Sequence, residues 1–396
     1  MKRASSSPAF QDTIKQGISL YNQGKYLDAK KTFDSLVSIL APHKKLSDND
    51  TEILSDAYYH QGLCYEKLNN TADALNSFSK AIELSPYDAD PYYHRSLIYS
   101  QMNQFSSALN DLSSAIRHNP DYTEAYFDRA NINFLSGKFK EALADCERGL
   151  AIEPLSPHFY IVRAMTYEIM GRYKEAINDC NTALKIFRDE DRNEAVMLYT
   201  VRGRSYAVTL EFGLTLLDFN KLIQLTPQNG MAYFYRGVIY ANMEILDQAI
   251  ADFKKALELK PGEPNITDSL LQAKNELKAK EMQEKLKKKA KPARPNAKGG
   301  QAGEVPRGDI GGTRSARANK LEAELNQLKG EVKILKELVL EITRHKPEYT
   351  IPRPSPEMGL PDWPGQAGIF RMPVRSSIIM PAEPKRSPDI SSRHHR

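Results

Sequence analysis

The strongest constraint on this chain is a recurrence of residue types at an offset of about 34 positions. When residues 89–122 are laid over residues 123–156, Tyr92 falls on Tyr126, Arg95 on Arg129 and small Ser96 on Ala130. Phe105 falls on Phe139, Ala108 on Ala142, Ala115 on Gly149 and Pro120 on Pro154. This spacing predicts two short helices joined by a turn and closed by a proline. One such hairpin cannot bury its apolar stripe alone, so it must stack on copies of itself.

The copies are present. Tyr58, Gly62, Tyr65, Ala74, Phe78, Ala81 and Pro86 keep the pattern upstream. Downstream it continues through Tyr160, Ala164, Tyr167, Ala176 and Ala183, then Tyr199, Gly203, Phe219 and Pro227, then Tyr233, Gly237, Phe253 and Pro261. A degenerate first copy has Gly17, Leu20, Tyr26, Ala29 and Phe33. The pattern resembles the tetratricopeptide repeat family, in which a large, a small and an aromatic residue on helix A precede Ala, Phe, Ala and Pro on helix B. About seven copies span residues 10–264. The resemblance implies an all-α superhelical solenoid and a scaffold role.

The rest of the chain divides by composition and period. Residues 1–9 form a polar lead, expected to be disordered. The polar stretch His43–Asp50 fits either a loop between the first two copies or an extended helix. Charged residues 188–195 add about five positions between copies. Residues 265–291 read as a helix that caps the last repeat. Residues 292–317 have the Gly, Pro and Ala content of a flexible linker. In residues 318–344 the period becomes seven, with Leu321, Leu328, Leu335 and Ile342 at d and Leu325, Val332 and Val339 at a. Glu324 and Glu331 fall at g, and Lys329 and Lys336 at e. This predicts a parallel homodimeric coiled coil; the same stripe also fits a helix packed back on the repeats. Residues 345–396 are rich in Pro, Ser and Arg, carry the only tryptophan (Trp363), and read as a disordered tail.

Net charge is +5, and the basic run 285–294 contributes most visibly to it. That run fits a solvated helix end, or a nuclear-localisation or RNA-binding patch, which makes a nuclear or RNA-associated factor the alternative reading. The three cysteines sit inside the repeats as small hydrophobes, without metal or disulfide spacing, which favours a reducing, cytoplasmic or nuclear compartment. The start of the chain lacks the apolar run of a signal peptide, and no stretch approaches the ~18 apolar residues of a membrane span. No HExxH, P-loop or Gly-x-Ser-x-Gly motif is present, so the chain reads as a non-enzyme with no metal or cofactor.

The resemblance also implies where a ligand would lie, namely the concave face built from the A helices. Its positions hold Tyr59, Leu63, Tyr93, Leu97, Phe127, Phe134, Ile161, Met165, Phe234 and Val238. An exposed apolar row of this extent would suit a protein or peptide with hydrophobic anchors. The family's chaperone-tail clamp needs cations here, and Asp90 and Glu124 stand in their place, so no carboxylate clamp is expected. The recurring Arg95, Arg129, Arg163, Arg202 and Arg236 read as structural, each pairing with a neighbouring acid, rather than as a phosphate site.

Overall fold

The computed structural model describes residues 7–187 and 192–290, and all regular structure among them is α-helical. The helices pair into hairpins: α1 (Ser7–Asn22) with α2 (Tyr26–Leu40), α3 (Asp48–Lys67) with α4 (Thr71–Leu84), and α5 (Ala89–Gln101) with α6 (Phe105–His118). The next are α7 (Thr123–Leu135) with α8 (Phe139–Ile152), α9 (Pro157–Ile169) with α10 (Tyr173–Ile186), and α11 (Arg192–Val208) with α12 (Phe212–Leu225). The last is α13 (Gly230–Asn242) with α14 (Leu246–Leu259), followed by α15 (Pro264–Ala290). The chain forms two compact units, one built on α1 to α9 and one on α11 to α15, with α10 contributing residues to each.

Helix α1 begins at Ser7, so residues 7–9 are helical rather than part of the lead. The stretch His43–Asp50 resolves into a short loop and a helix start. Ser47 accepts from the Asp50 amide as N-cap, and α3 runs for 20 residues where α5 and α7 run for 13. The linker, heptads and tail expected over 292–396 lie outside the described residues.

Every A-to-B turn passes through one left-handed residue at the same place in the repeat. Gly24, Gly137 and Gly171 have φ of 72–76°, and Asn69, Asn103, Leu210 and Glu244 have φ of 57–64°. Glycine and asparagine adopt this conformation readily; leucine and glutamate do so under strain.

Within each hairpin, a small residue on helix A receives a side chain from helix B 16 positions later. Phe33, Phe78, Phe219 and Phe253 are fully buried against Gly17, Gly62, Gly203 and Gly237. A Cβ at Gly62 would sit 2.6 Å from the Phe78 ring. Where helix A carries Ala130, helix B carries the smaller Cys146, which is buried. The two positions trade volume, as a close-packed interior requires. A second trade lies between repeats, where Phe159 at the start of α9 is fully buried against Gly149 of α8, whose Cβ would come within 2.1 Å of the ring.

The recurring arginine closes the same seam. Arg95 donates from Nε and Nη2 to the Asp111 carboxylate at 2.7 and 2.8 Å, and from Nη1 to Ser79 Oγ at 2.9 Å. Asp111 belongs to its own hairpin and Ser79 to the preceding one. Arg129 repeats this with Asp145 and Ser113, and Arg236 with Asp252 and Asn220. Arg202 pairs with Asp218 at 2.6 Å. Each guanidinium also lies over tyrosine rings three before or four after it, as Arg236 does over Tyr233 at 5.6 Å and Tyr240 at 5.9 Å. Arg163 is stacked likewise on Tyr160 and Tyr167. Burial pushes the Asp145 and Asp218 carboxyls above their usual range, outweighing the pull of Arg129 and Arg202. These are two-pronged, largely desolvated ion pairs, for which loss of one partner is far costlier than loss of both.

The second repeat makes the same rung without a guanidinium. Gln61 occupies the arginine position, accepts from Ser77 Oγ at 2.8 Å and donates to Asp34 Oδ1 at 2.7 Å. Here the acid has moved from the repeat's own B helix to the preceding one, where Lys30 neutralises it at 2.7 Å.

Candidate functional site

The A helices α3, α5, α7 and α9 present one face at positions 2 before and 1, 2, 5, 8 and 9 after the leading tyrosine of each repeat. The structure separates the ten side chains expected there into two groups. Leu63, Phe127, Phe134, Ile161, Phe234 and Val238 are buried, from 1% to 6% exposed. They pack in the core and do not form an exposed row, which corrects the expectation: Leu63 lies with Phe78 and Ile98, Phe127 against Phe159 and Phe234 against Phe253. Tyr59, Tyr93, Leu97 and Met165 are half-buried, with surface facing outward.

Around Tyr59 and Tyr93 the structure assembles a strip that spans α3, α5 and α7. His94 lies edge-on between them, its ring centroid 5.6 Å from Tyr59 and 5.4 Å from Tyr93. Its flat side stacks on Phe78 at 5.8 Å, and its Nδ1 is 3.5 Å from Glu66. Tyr93 continues to Tyr122, centroid to centroid 4.9 Å, and its hydroxyl donates to Asp128 Oδ2 at 3.0 Å. His60, behind Tyr59, stacks on Phe33 at 5.3 Å.

The strip is acidic. At the six face positions in these four repeats stand Asp56, Glu66, Asp90, Glu124, Asp128 and Glu168, against one base, Lys67. The field is visible in the neighbouring tyrosines. Burial, then Asp90 and Asp88, hold the Tyr59 hydroxyl well above its ordinary range. Burial and Asp90 do the same to Tyr122. Burial, then His94, lower the His60 imidazole to about 4. Tyr59, Tyr122 and His60 are therefore neutral at pH 7 beside the strip's carboxylates.

Sequence reasoning placed Tyr59, Tyr93, His94 and Asp128 at positions of this face but missed His60 and Tyr122. The signal was present, since His60, His94 and Asp128 all stand two after the leading tyrosine. Among the described residues no cluster of His, Cys, Asp and Glu could hold a metal, and no helix is long and apolar enough to cross a membrane. The dimerisation positions Leu321, Leu325, Leu328, Val332, Leu335, Val339 and Ile342 lie outside the described residues. Residues 285–290 of the basic run form the end of α15, where Lys285 is exposed, and residues 291–294 lie outside the described residues.

Stacked helix–turn–helix units joined by a repeated seam define an all-α repeat protein. The chain carries tetratricopeptide repeats: models of that family match residues 55–88, 93–157, 157–190 and 231–263. No curated protein matches the chain. Among solved structures, it is similar to the C-terminal part of a TPR repeat-containing protein from Cytophaga hutchinsonii, at 18% identity over 65% of this chain and 99% of that one, with a TM-score of 0.49. It is also similar to a tetratricopeptide repeat protein from Parabacteroides merdae, at 18% identity over 66% and 98%, TM-score 0.45. A third is YrrB, described as a TPR protein with an unusual peptide-binding site, at 22% identity over 51% and 99%, TM-score 0.44.

Proposed function

We propose that the chain is a non-enzymatic protein–protein interaction adaptor that captures an extended peptide along the A-helix face of its first unit. Tetratricopeptide repeats are generally non-enzymatic scaffolds, and that much follows from the family. The peptide reading rests on one observation, the Tyr59–His94–Tyr93–Tyr122 strip set among Asp88, Asp90 and Asp128. Half-buried Tyr59, Tyr93, Leu97 and Met165 offer flat and aliphatic surface for apolar side chains. The surrounding carboxylates favour lysine or arginine beside them, where a cation also gains about 0.5–2 kcal/mol over a tyrosine face. The ligand this selects is a peptide carrying both aliphatic and basic side chains.

The test is fluorescence anisotropy of the full chain with labelled peptides that alternate leucine and lysine, against matched peptides with glutamate for lysine. The lysine peptides should bind more tightly, and Tyr93→Ala with Asp90→Lys should weaken them at least about tenfold. Equal binding of both peptide sets, or no loss in the double variant, overturns the reading. The competing RNA reading requires a labelled RNA oligonucleotide to bind instead, with a steep loss as salt rises and after charge reversal of Lys285 and its neighbours.

A further inference from the structure

The seven repeats act as controls for one another on the outer face of helix B, and one of them departs. In α12, Leu214 and Leu217 are 41% and 64% exposed, and Leu210, in the turn just before the helix, is 72% exposed. The position of Leu214 is polar in every other repeat: Asp28, Asp73, Ser107, Glu141, Glu175 and Gln248. The position of Leu217 is elsewhere Lys, Asn or Ala. The position of Leu210 is the left-handed turn residue, at φ 64°, where five of the other six repeats use Gly or Asn with less strain or none. Three substitutions toward leucine fall on α12 and the turn that leads into it, one of them at the expense of backbone strain. Val208, 46% exposed at the end of α11, adjoins it in sequence. A surface leucine alone means little, but a contiguous set at positions otherwise kept polar marks a contact surface.

The spacing of the stripe matches that of one segment of the same chain. Within α12, Leu214 and Leu217 are followed by exposed Lys221 and Gln224, so the exposed stripe of the helix advances by 3, 4 and 3 residues, and Leu210 precedes it from the turn. Leu321, Leu325, Leu328, Val332, Leu335, Val339 and Ile342 advance in the same alternation. Two helices that share this period can keep their seams in register. Lys221 stands where the leucines give out, and Glu324 and Glu331 flank the heptad stripe, so the charges complement. The tether also fits. Helix α15 belongs to the same unit as α12 and ends at Ala290; a flexible chain with the composition of residues 292–317 would have a root-mean-square reach of roughly 25–30 Å. Such a tether holds the segment near α12 at an effective concentration on the order of mM.

We propose that residues 318–342 dock through their heptad stripe onto the outer face of α12, covering Leu210, Leu214 and Leu217. The apolar heptad stripe is thereby spent within one molecule and is withheld from a second copy. This surface lies on a B helix, apart from the A-helix face proposed for the peptide, and the two stand or fall separately.

The experiment is cross-linking in the full chain. Gly213 adjoins the stripe, and a Cβ there meets nothing within 4 Å, so Gly213→Cys is tolerated. It is combined with Gln327→Cys, off the a and d positions, and treated with a flexible bismaleimide. The expected product is an intramolecular cross-link whose yield does not change on dilution. Moving the first cysteine to Asp247→Cys, the equivalent place in the next repeat, should lower the yield at least about fivefold. So should adding Leu214→Asp and Leu217→Asp, exposed positions that leave the core intact. Dimeric products that grow with concentration would overturn the proposal in favour of a paired second copy. Equal yields from Gly213→Cys and Asp247→Cys would also overturn it, leaving the stripe to an external partner.

Discussion

The seam between the two helices of a repeat and the surfaces that the helices present obey opposite rules. The seam is monotonous. Arg95, Arg129, Arg202 and Arg236 each meet an aspartate 16 residues later with nearly the same geometry. The surfaces are not. The position two after the leading tyrosine is His60, His94, Asp128, Val162, Val201 and Tyr235 in successive repeats. On the outer face one repeat alone turns three sites to leucine. Repetition therefore marks what every hairpin needs in order to stack. Departure from repetition marks what individual repeats are free to do because the seam already holds them.

The sharpest way to break this comparison is to cut one rung. Arg129→Ala would leave Asp145 buried beside Asn133 with its cation gone. Removing one partner of a buried pair costs about 3–5 kcal/mol, so urea unfolding should show a loss of that size. The second repeat supplies the counter-experiment. Arg95→Gln with Asp111→Ser copies the Gln61–Ser77 rung into the third repeat. The pair should recover most of the loss seen for Asp111→Ala alone, since a satisfied neutral rung avoids the desolvation of two ions. If the double variant is as unstable as the single one, the rung is not the unit of stability inferred here.

The seam was legible in the sequence because repetition makes it so. The spacing of the arginines, the small residue on helix A and the Phe on helix B all recur at one offset. The turn residues Gly24, Asn69, Asn103 and Gly137 also announce themselves by type. The site was legible only in part. Offsets alone placed Leu63, Phe127 and Phe234 on the ligand face, but whether a side chain at that offset is covered depends on how closely the next A helix approaches. That distance is set by residues such as Gly149 and Phe159, whose trade spans two repeats and belongs to neither pattern. Tyr122 reaches the strip from the turn preceding α7, outside the helix whose periodicity was being read.

A pH experiment sharpens the contrast on the surface side. His60 stacks on Phe33 and is buried, which with His94 lowers its imidazole to about 4. In the unfolded chain a histidine titrates near 6.5. Between those values only the unfolded chain takes up the proton, so folding is penalised there. The His60 contribution is fully present above about pH 6.5 and is lost as pH falls toward 4, a change of about 3 kcal/mol for a shift of this size. His60→Phe keeps the stack on Phe33 and removes the titration. Urea midpoints at pH 7.5 and 4.5 should therefore converge in the variant relative to the native chain. Equal slopes in the two proteins would place the acid sensitivity in the seam carboxylates instead.

The smallest effect tests the departure at Leu210. Its φ of 64° is the conformation that Gly137 and Gly171 adopt at the same place. A Cβ in this region crowds the following carbonyl and costs about 1–2 kcal/mol, a strain that glycine does not carry. Glycine in turn gives the unfolded chain more freedom, about 0.4–1 kcal/mol. The two terms oppose, and the strain is the larger, so Leu210→Gly should stabilise the second unit by roughly 0.5–1 kcal/mol. Leucine at 72% exposure contributes little burial of its own to offset this. If the heptad segment covers Leu210, however, removing the leucine also removes part of that contact. The gain should then appear only in a chain that also carries Leu328→Asp and Leu335→Asp, in which the segment no longer presents an apolar stripe. Thermal unfolding of the four combinations separates the terms. A gain in the heptad-broken background that disappears in the native background means that Leu210 is strained in order to be touched. An equal gain in both means that the leucine has no occupant.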